Sequence, residues 1–401
     1  MKPKNIVLKP PEKKFYTFSE TFRFCAFALA IALIYPNKNN IIRRWITVIS
    51  VIFFNSVILF WFVSYLIKCL ISVDIYNFAR TVTVGVVVVL FLFKSFYVNW
   101  KNEEFEKLLN KISKDLLKGN YMDEDYQRIY EYHIKQAKIP QICWLIIPTI
   151  LSLQFPLYAS TGLIYETLNS DVGKKYMVFE MQLKYIEDKQ YVSPYYEIIF
   201  AYSLVPCLIL VPNFAGFDSS FCIATTHMRL KLKLMTHKVH RAFKDARNRS
   251  DLQMKVKEAI KDHQEALEFH RGIQEVYGGW LLAVFLLTSF LISFNIYQIY
   301  ISKRIDPKYA IFTLNGVLHM YMPCYFASSL IKVNEELSTD LYNASWEDWA
   351  DPAVTKLLVF MMAKSQQRLV ITGKRIVVYN MDLFISILHM SYSFFTLITA
   401  K

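Results

Sequence analysis

The chain has little glycine, 10 in 401 residues, and its six cysteines form no CxxC pair and no metal-ligand spacing. It contains no Gly-x-x-x-x-Gly-Lys loop, no nucleophile elbow and no paired catalytic carboxylates. No enzyme is read here: no catalytic residue, cofactor-binding residue or metal ligand is assigned. Cys25, Cys69, Cys143, Cys207, Cys222 and Cys324 mostly sit within apolar stretches and read as buried thiols acting as small hydrophobes. His237 and His240, and likewise His263 and His270, form none of the HxxxH or HxxHH boxes of membrane di-iron enzymes, so they read as solvated helix faces. No internal repeat is found, which weighs against a transporter built from repeated halves. The polar, basic first 20 residues have no apolar core directly behind them, so no cleavable secretory signal is expected.

Apolar side chains are abundant, at 54% of residues with 16% aromatics, more than ordinary soluble domains carry. Stretches 45–67, 75–98, 139–163, 195–221, 276–301 and 309–331, with the terminal stretch 374–401, are each long enough for a spanning helix of ~20 residues. The expected fold is an all-α polytopic membrane protein with about seven transmembrane helices. Stretch 22–35 is too short to span and carries Arg23, which suits an interfacial helix.

The net charge of +13 comes without any nucleic-acid motif, and the Lys and Arg residues sit in loops, so they read as topology signals rather than a nucleic-acid surface. A cytoplasmic N-terminus puts roughly three times more Lys and Arg inside than outside. An odd number of spans then leaves the C-terminus extracellular. G-protein-coupled receptors have the opposite orientation, and their Asp-Arg-Tyr and Asn-Pro-x-x-Tyr motifs are absent.

This orientation divides the chain into a cytoplasmic N-terminus with its interfacial helix (1–44), the first four spans (45–221), cytosolic helical extensions (222–275), spans five and six (276–331), a cytosolic linker and half-helix (332–373), and the terminal spanning helix (374–401). Pro140, Pro148, Pro156, Pro206 and Pro212 should kink the third and fourth spans and open space between neighbours. Segment 222–275 has no proline and reads as two helices broken near Asn248–Asp251, the second capped by Ser250. A helix over 354–371 should end at a break in Thr372-Gly373-Lys374.

In the terminal helix Asp382, Ser386, His389, Ser393 and Thr396 recur at steps of four and three, continued by Thr399 and Ala400. A polar row inside a membrane should face protein or water, so it is either a packing seam or a pore wall. The closing run Ser391-Tyr392-Ser393-Phe394-Phe395-Thr396-Leu397 resembles the terminal signature of insect odorant receptors, and Tyr342 and Trp346 match a Tyr-x-x-x-Trp pattern in that family's acidic linker. The Thr-Tyr…Gln-Phe ending of the gustatory relatives is absent.

The resemblance implies an odorant-gated, non-selective cation channel, tetrameric, in the plasma membrane of olfactory sensory neurons. In it the polar row Asp382 to Ala400 would line the pore, and the region of Tyr342 and Trp346 would serve as subunit anchor. It further implies a heterotetramer of an odour-tuned subunit with a common coreceptor, surrounded by membrane lipid. This chain lacks the coreceptor's longer cytosolic segment, so it looks like the tuned subunit. The implied site for a small volatile odorant lies among the outer halves of the spans, with Phe78, Thr81, Gln154, Phe155, Tyr158, Phe200, Tyr202, Ser203, Phe312 and Asn315 as candidates. Arg80 and Lys94 are expected to snorkel outward and inward instead. The alternative is a seven-span receptor that signals through a cytosolic partner and has no pore of its own.

Overall fold

The computed structural model describes residues 14–36, 41–169, 174–301, 307–349 and 351–399. Among these residues the chain forms eleven α-helices and one hairpin of two-residue strands, so it is all-α. α3 (Ile41–Ile71) and α4 (Ile75–Trp100) are predominantly apolar, and the two helices pair as a hairpin. The Asp74 side chain closes the turn between them by accepting from Asn77 N at 3.1 Å, capping α4.

After α5 (Asn102–Lys118) come three very long helices, α6 (Glu124–Asn169), α7 (Tyr195–Asp245) and α8 (Arg249–Ile301). They run to 46, 51 and 53 residues, more than twice the ~20 that a bilayer requires, so each projects well beyond it. α6 continues through Pro140, Pro148 and Pro156, and α7 through Pro206 and Pro212. The Ser152 hydroxyl bridges the two by donating to the Cys207 carbonyl.

Among the described residues, five helices are long and apolar enough to cross a membrane on that criterion alone: α3, α4, α6, α7 and α8. The 36-residue α9 (Pro307–Tyr342) and the 19-residue α11 (Met381–Thr399) bring the expected seven; α11 is about 28 Å long, close to a hydrocarbon core of ~30 Å.

The core is built around α7. Every residue from Asn213 to Met228 is buried, enclosed by α6, α8, α9 and α2 (Arg23–Ile31). α2 sits behind the short α1 (Phe18–Thr21) and ends where Leu33 adopts φ 59°. Its Cys25, Ala26 and Leu29 face α7, whereas Phe24, Phe27 and Ile31 are exposed, an arrangement suited to a helix at the edge of a membrane. The close crossing depends on Gly216, where a Cβ would lie 2.9 Å from Leu29 N.

Beyond the spans α7 and α8 continue as a helical pair. Asp115 on α5 joins α7, accepting from Lys231 Nζ at 2.8 Å with His227 Nε2 at 3.2 Å. Burial alone would raise the Asp115 carboxyl, but hydrogen bonds and charge from His227 and Lys231 outweigh it and hold it well below the ordinary carboxylate range.

Three boundaries differ from the sequence reading. α8 is capped by Asn248, whose Oδ1 accepts from Asp251 N at 2.9 Å, and not by Ser250, which already lies inside the helix. The helix expected over 354–371 is α10 (Pro352–Ser365); the chain then leaves helical geometry to form β1 (Thr372–Gly373) and β2 (Val377–Val378), with Lys374 and Arg375 in left-handed geometry between them. Gln274 fixes this hairpin, accepting from Thr372 N at 2.6 Å and donating to Thr372 O at 2.9 Å. The terminal helix therefore starts at Met381 rather than Lys374, with Asn380 Oδ1 accepting from Leu383 N at 2.8 Å.

Gly216→Val should destabilise the fold by about 1–3 kcal/mol, because the neighbour it would strike is backbone. Gly85→Ala, with nothing within 4 Å of the new Cβ, should leave stability unchanged or raise it by up to about 1 kcal/mol. Thermal melting of the detergent-solubilised protein checks both.

Candidate functional site

A cavity of about 40 Å³ lies among α4, α6, α7, α8 and α9. Val87, Leu90, Ile147, Leu151 and Leu291 give it aliphatic walls, and Trp144, Phe214 and Phe312 give it aromatic ones. Pro148 also lines it, which ties one of the α6 prolines to open space. Polar groups come from one side only: Thr288 on α8, and Asn315 and His319 on α9.

A second cavity, of about 20 Å³, is lined by Thr81, Phe155, Phe179 and Tyr309 among others. Phe155 and Phe312, whose rings meet edge to face at 5.9 Å, stand between the two spaces, one lining each. The second cavity ends in an ionic cluster. Lys308 Nζ donates to Glu180 at 2.6 Å, Arg80 also pairs with Glu180, and Arg80 Nε donates to the Tyr309 hydroxyl at 2.9 Å.

Four of the candidate ligand residues thus line cavities: Thr81, Phe155, Phe312 and Asn315. Phe78 meets Phe294 in the seam between α4 and α8, Tyr158 lies under Lys308 Nζ at 3.9 Å, and both amide atoms of Gln154 are buried without a hydrogen-bond partner. Phe200, Tyr202 and Ser203 lie elsewhere. Phe200 packs beside Tyr196 on the cluster of Met177, Met181 and Leu183, the Tyr202 hydroxyl donates to the Phe54 carbonyl on α3, and Ser203 donates to its own helix at Ile199 O.

Beside the first cavity lies a polar group that the sequence reading missed. Lys94 does not snorkel inward: its side chain has no exposed surface, and its Nζ lies 2.5 Å from Asp218 Oδ2. The ammonium also lies over the Phe214 ring at 3.5 Å and the Trp280 ring at 4.2 Å. Trp280 Nε1 donates to Asp218 Oδ1 at 2.6 Å, and His319 Nε2 is 3.8 Å from Oδ2. Four helices, α4, α7, α8 and α9, converge here. Arg80 is likewise largely buried: it pairs with Glu180 and lines the second cavity.

On α11 the polar row and the packing face are opposed. Ile387 and Ser391 are buried, Phe384 meets Tyr321 of α9 at 5.5 Å, and Phe395 meets Tyr300 of α8 at 5.3 Å. Asp382, Ser386, His389, Ser393 and Thr396 all face away from the chain. The hydroxyls of Ser386, Ser393 and Thr396 donate to carbonyls of their own helix, at Asp382, His389 and Ser393. The Thr399 side chain and Ala400 lie outside the described residues. At the far end of α9, Trp346 Nε1 donates to the Tyr342 carbonyl at 3.1 Å.

Residues 74–392 match the family model described as 7tm odorant receptor, which takes in α4, α6, α7, α8 and α9 whole and the first part of α11, and leaves out α3. The chain belongs to the insect odorant receptor family. Odorant receptor 85b of Drosophila melanogaster is 21% identical over 344 residues, covering 82% of this chain and 83% of that protein. Odorant receptor 85c of the same species is 23% identical over 323 residues, covering 78% and 79%. The fold matches the insect olfactory receptor OR5 from Machilis hrabei, solved with eugenol, with a TM-score of 0.75 at 15% identity over 96% of this chain and 99% of that one. A second structure of the same receptor gives 0.76 at 16% identity, covering 94% and 97%. This odorant receptor is accordingly a multi-pass membrane protein with the seven-helix topology and not an enzyme.

Lys94→Met should cost about 3–5 kcal/mol by leaving Asp218 buried and uncompensated. Lys94→Met with Asp218→Asn should recover most of that loss. The fraction of monodisperse protein after graded heating reads both.

Proposed function

We propose that this receptor is the odour-tuned subunit of an odorant-gated, non-selective cation channel, a tetramer completed by a coreceptor, in the plasma membrane of olfactory sensory neurons. The observation that carries the proposal is the polar row of α11, which faces away from its own chain opposite the packing face. One such helix cannot enclose water. Copies turned toward a common axis can, and closed rotational symmetry is the usual way for similar subunits to do so. Serine and threonine hydroxyls along the path solvate cations without a ring of fixed charge, which suits weak selectivity, and Asp382 at the inner end concentrates cations.

The same reading puts the N-terminus, the paired extensions of α7 and α8, and α10 in the cytosol, with Tyr342 and Trp346 near the subunit anchor. The C-terminus is then extracellular, and lipid covers the outward apolar faces of α3 and α6. The first cavity is the odorant site, with Phe312 and Asn315 among its contacts and Thr81 and Phe155 on its outward side. A volatile ligand is larger than 40 Å³, so binding requires the helices to separate slightly. The ligand therefore favours the expanded arrangement over the closed one, as a gating ligand must. α8 and α9 carry that change, because both line the cavity and both pack on α11.

Whole-cell voltage clamp with a coreceptor co-expressed, an odorant panel applied and G-protein signalling blocked should give rapid cation current. Thr396→Lys should cut that current severalfold or change its selectivity. Ligand-evoked signalling that vanishes under the block, with no current and no effect of Thr396→Lys, would favour a receptor acting through a cytosolic partner. Orientation has its own check. Asn248 and Asn343 head Asn-x-Ser acceptor sequences and are exposed, so they should remain unglycosylated; a glycosidase-sensitive mass shift lost on mutating either would refute the cytosolic assignment.

A further inference from the structure

Thr288 is buried, with 1% of its surface exposed, lines the first cavity, and its hydroxyl has no hydrogen-bond partner. A threonine in a helix has a ready acceptor in the carbonyl four residues back. Its neighbours on α8 use that acceptor: Ser289 donates to Phe285 O at 2.6 Å and Ser293 to Ser289 O at 2.9 Å. Thr288 does not, and an unpaired buried hydroxyl is costly. On the facing helix, Asn315 Nδ2 is engaged with Ile311 O at 2.7 Å, while the residue itself lines the same cavity. The α4 and α6 walls opposite offer only carbon around Val87, Leu90, Ile147 and Leu151, apart from the Trp144 indole, whose N–H already donates to Cys222 Sγ at 3.5 Å.

We infer that the cavity selects small, mostly apolar molecules bearing one oxygen function, an alcohol, phenol or carbonyl, and that the Thr288 hydroxyl pairs with that oxygen at the α8–α9 edge. The hydroxyl can serve either polarity, donating to a carbonyl or accepting from an alcohol while donating elsewhere. A hydrocarbon of the same shape fills the same walls but leaves Thr288 unpaired, so the site discriminates by the oxygen and not by size. Asn295 and Gln298 continue the same helical face and also have buried, unpartnered amides, but neither lines the cavity. This inference rests on the cavity being the odorant site and is independent of whether the chain forms a channel.

The test is binding to the purified full-length receptor, read as quenching of intrinsic tryptophan fluorescence, since Trp144 lines the cavity. The probes are matched pairs such as benzyl alcohol with ethylbenzene and 1-octen-3-ol with 1-octene. Wild type should bind the oxygenated member of a pair about tenfold more tightly, and Thr288→Val, which keeps the side-chain shape, should abolish that preference while sparing the hydrocarbon. Asn295→Leu should retain it. Equal binding within pairs, a preference unchanged in Thr288→Val, loss of preference in Asn295→Leu alone, or no binding by any probe would overturn the inference. A preserved binding preference without any odour-evoked current would instead count against the channel proposal and leave this inference standing.

Discussion

The ion pair between Lys94 and Asp218 constrains the middle of the fold more than any other contact. A charge removed from water costs several kcal/mol unless its partner is close and well oriented. At 2.5 Å from Asp218, with Phe214 and Trp280 rings on the ammonium, Lys94 has almost no freedom to move. Asp218 is held in turn by the Trp280 indole, so α4, α7 and α8 are fixed in register at one depth, and His319 brings α9 alongside. Neighbouring contacts follow the same geometry. Asn213 Nδ2 donates to Ser95 Oγ at 3.1 Å, and Gly279 admits the Tyr97 ring where a Cβ would lie 2.7 Å from it.

The cavity adjoins this fixed point, and His319 belongs to both. Displacement of the cavity walls is therefore resisted at the ion pair and easier away from it, toward the outer ends of α8 and α9. Those helices also hold α11. The Tyr379 hydroxyl just before it donates to the Leu281 carbonyl at 2.6 Å, the Ser328 hydroxyl accepts from Met381 N at 2.8 Å, and farther along Phe395 meets Tyr300. The start of α11 is thus tied to the rigid level of the bundle and its far end to the level that can move. Such a helix can tilt about its inner end without losing its seat.

Periodicity carried the parts of this structure that depend on one helix at a time. The row from Asp382 to Thr396 could be placed on one face from spacing alone, and the long apolar runs located the seven crossings. Spacing could not say what the row faced, because that depends on which side of α11 meets α8 and α9. Lys94 was misread for a related reason: a lone lysine in an apolar run is equally consistent with snorkelling, and its partner is 124 residues away. Phe200 and Tyr202 were chosen by depth along α7, yet they turn toward the segment before α7 and toward α3, and Ser203 bonds back to its own helix, while Phe214 turns toward the cavity. Thr288 carried no sequence signal, since an unused hydroxyl is visible only once its neighbours are placed. The cap at Asn248 rests on a single side-chain bond that propensity does not resolve.

The two cavities bear on how a ligand could act. Neither 40 Å³ nor 20 Å³ holds a molecule of ordinary odorant size, and Phe155 against Phe312 is what lies between them. An edge-to-face aromatic pair contributes only about 0.5–1.5 kcal/mol beyond its buried area, so it can open under a modest load. On the proposed reading, a ligand that replaces this contact with its own apolar area would join the spaces and hold α6 away from α9 while it remains bound. In the unliganded chain the aromatic contact and the Glu180 cluster favour the closed arrangement, and binding then acts through the difference between the two states. Affinity alone would not shift that balance; a ligand small enough to fit without parting Phe155 from Phe312 would occupy the cavity and leave α11 where it is.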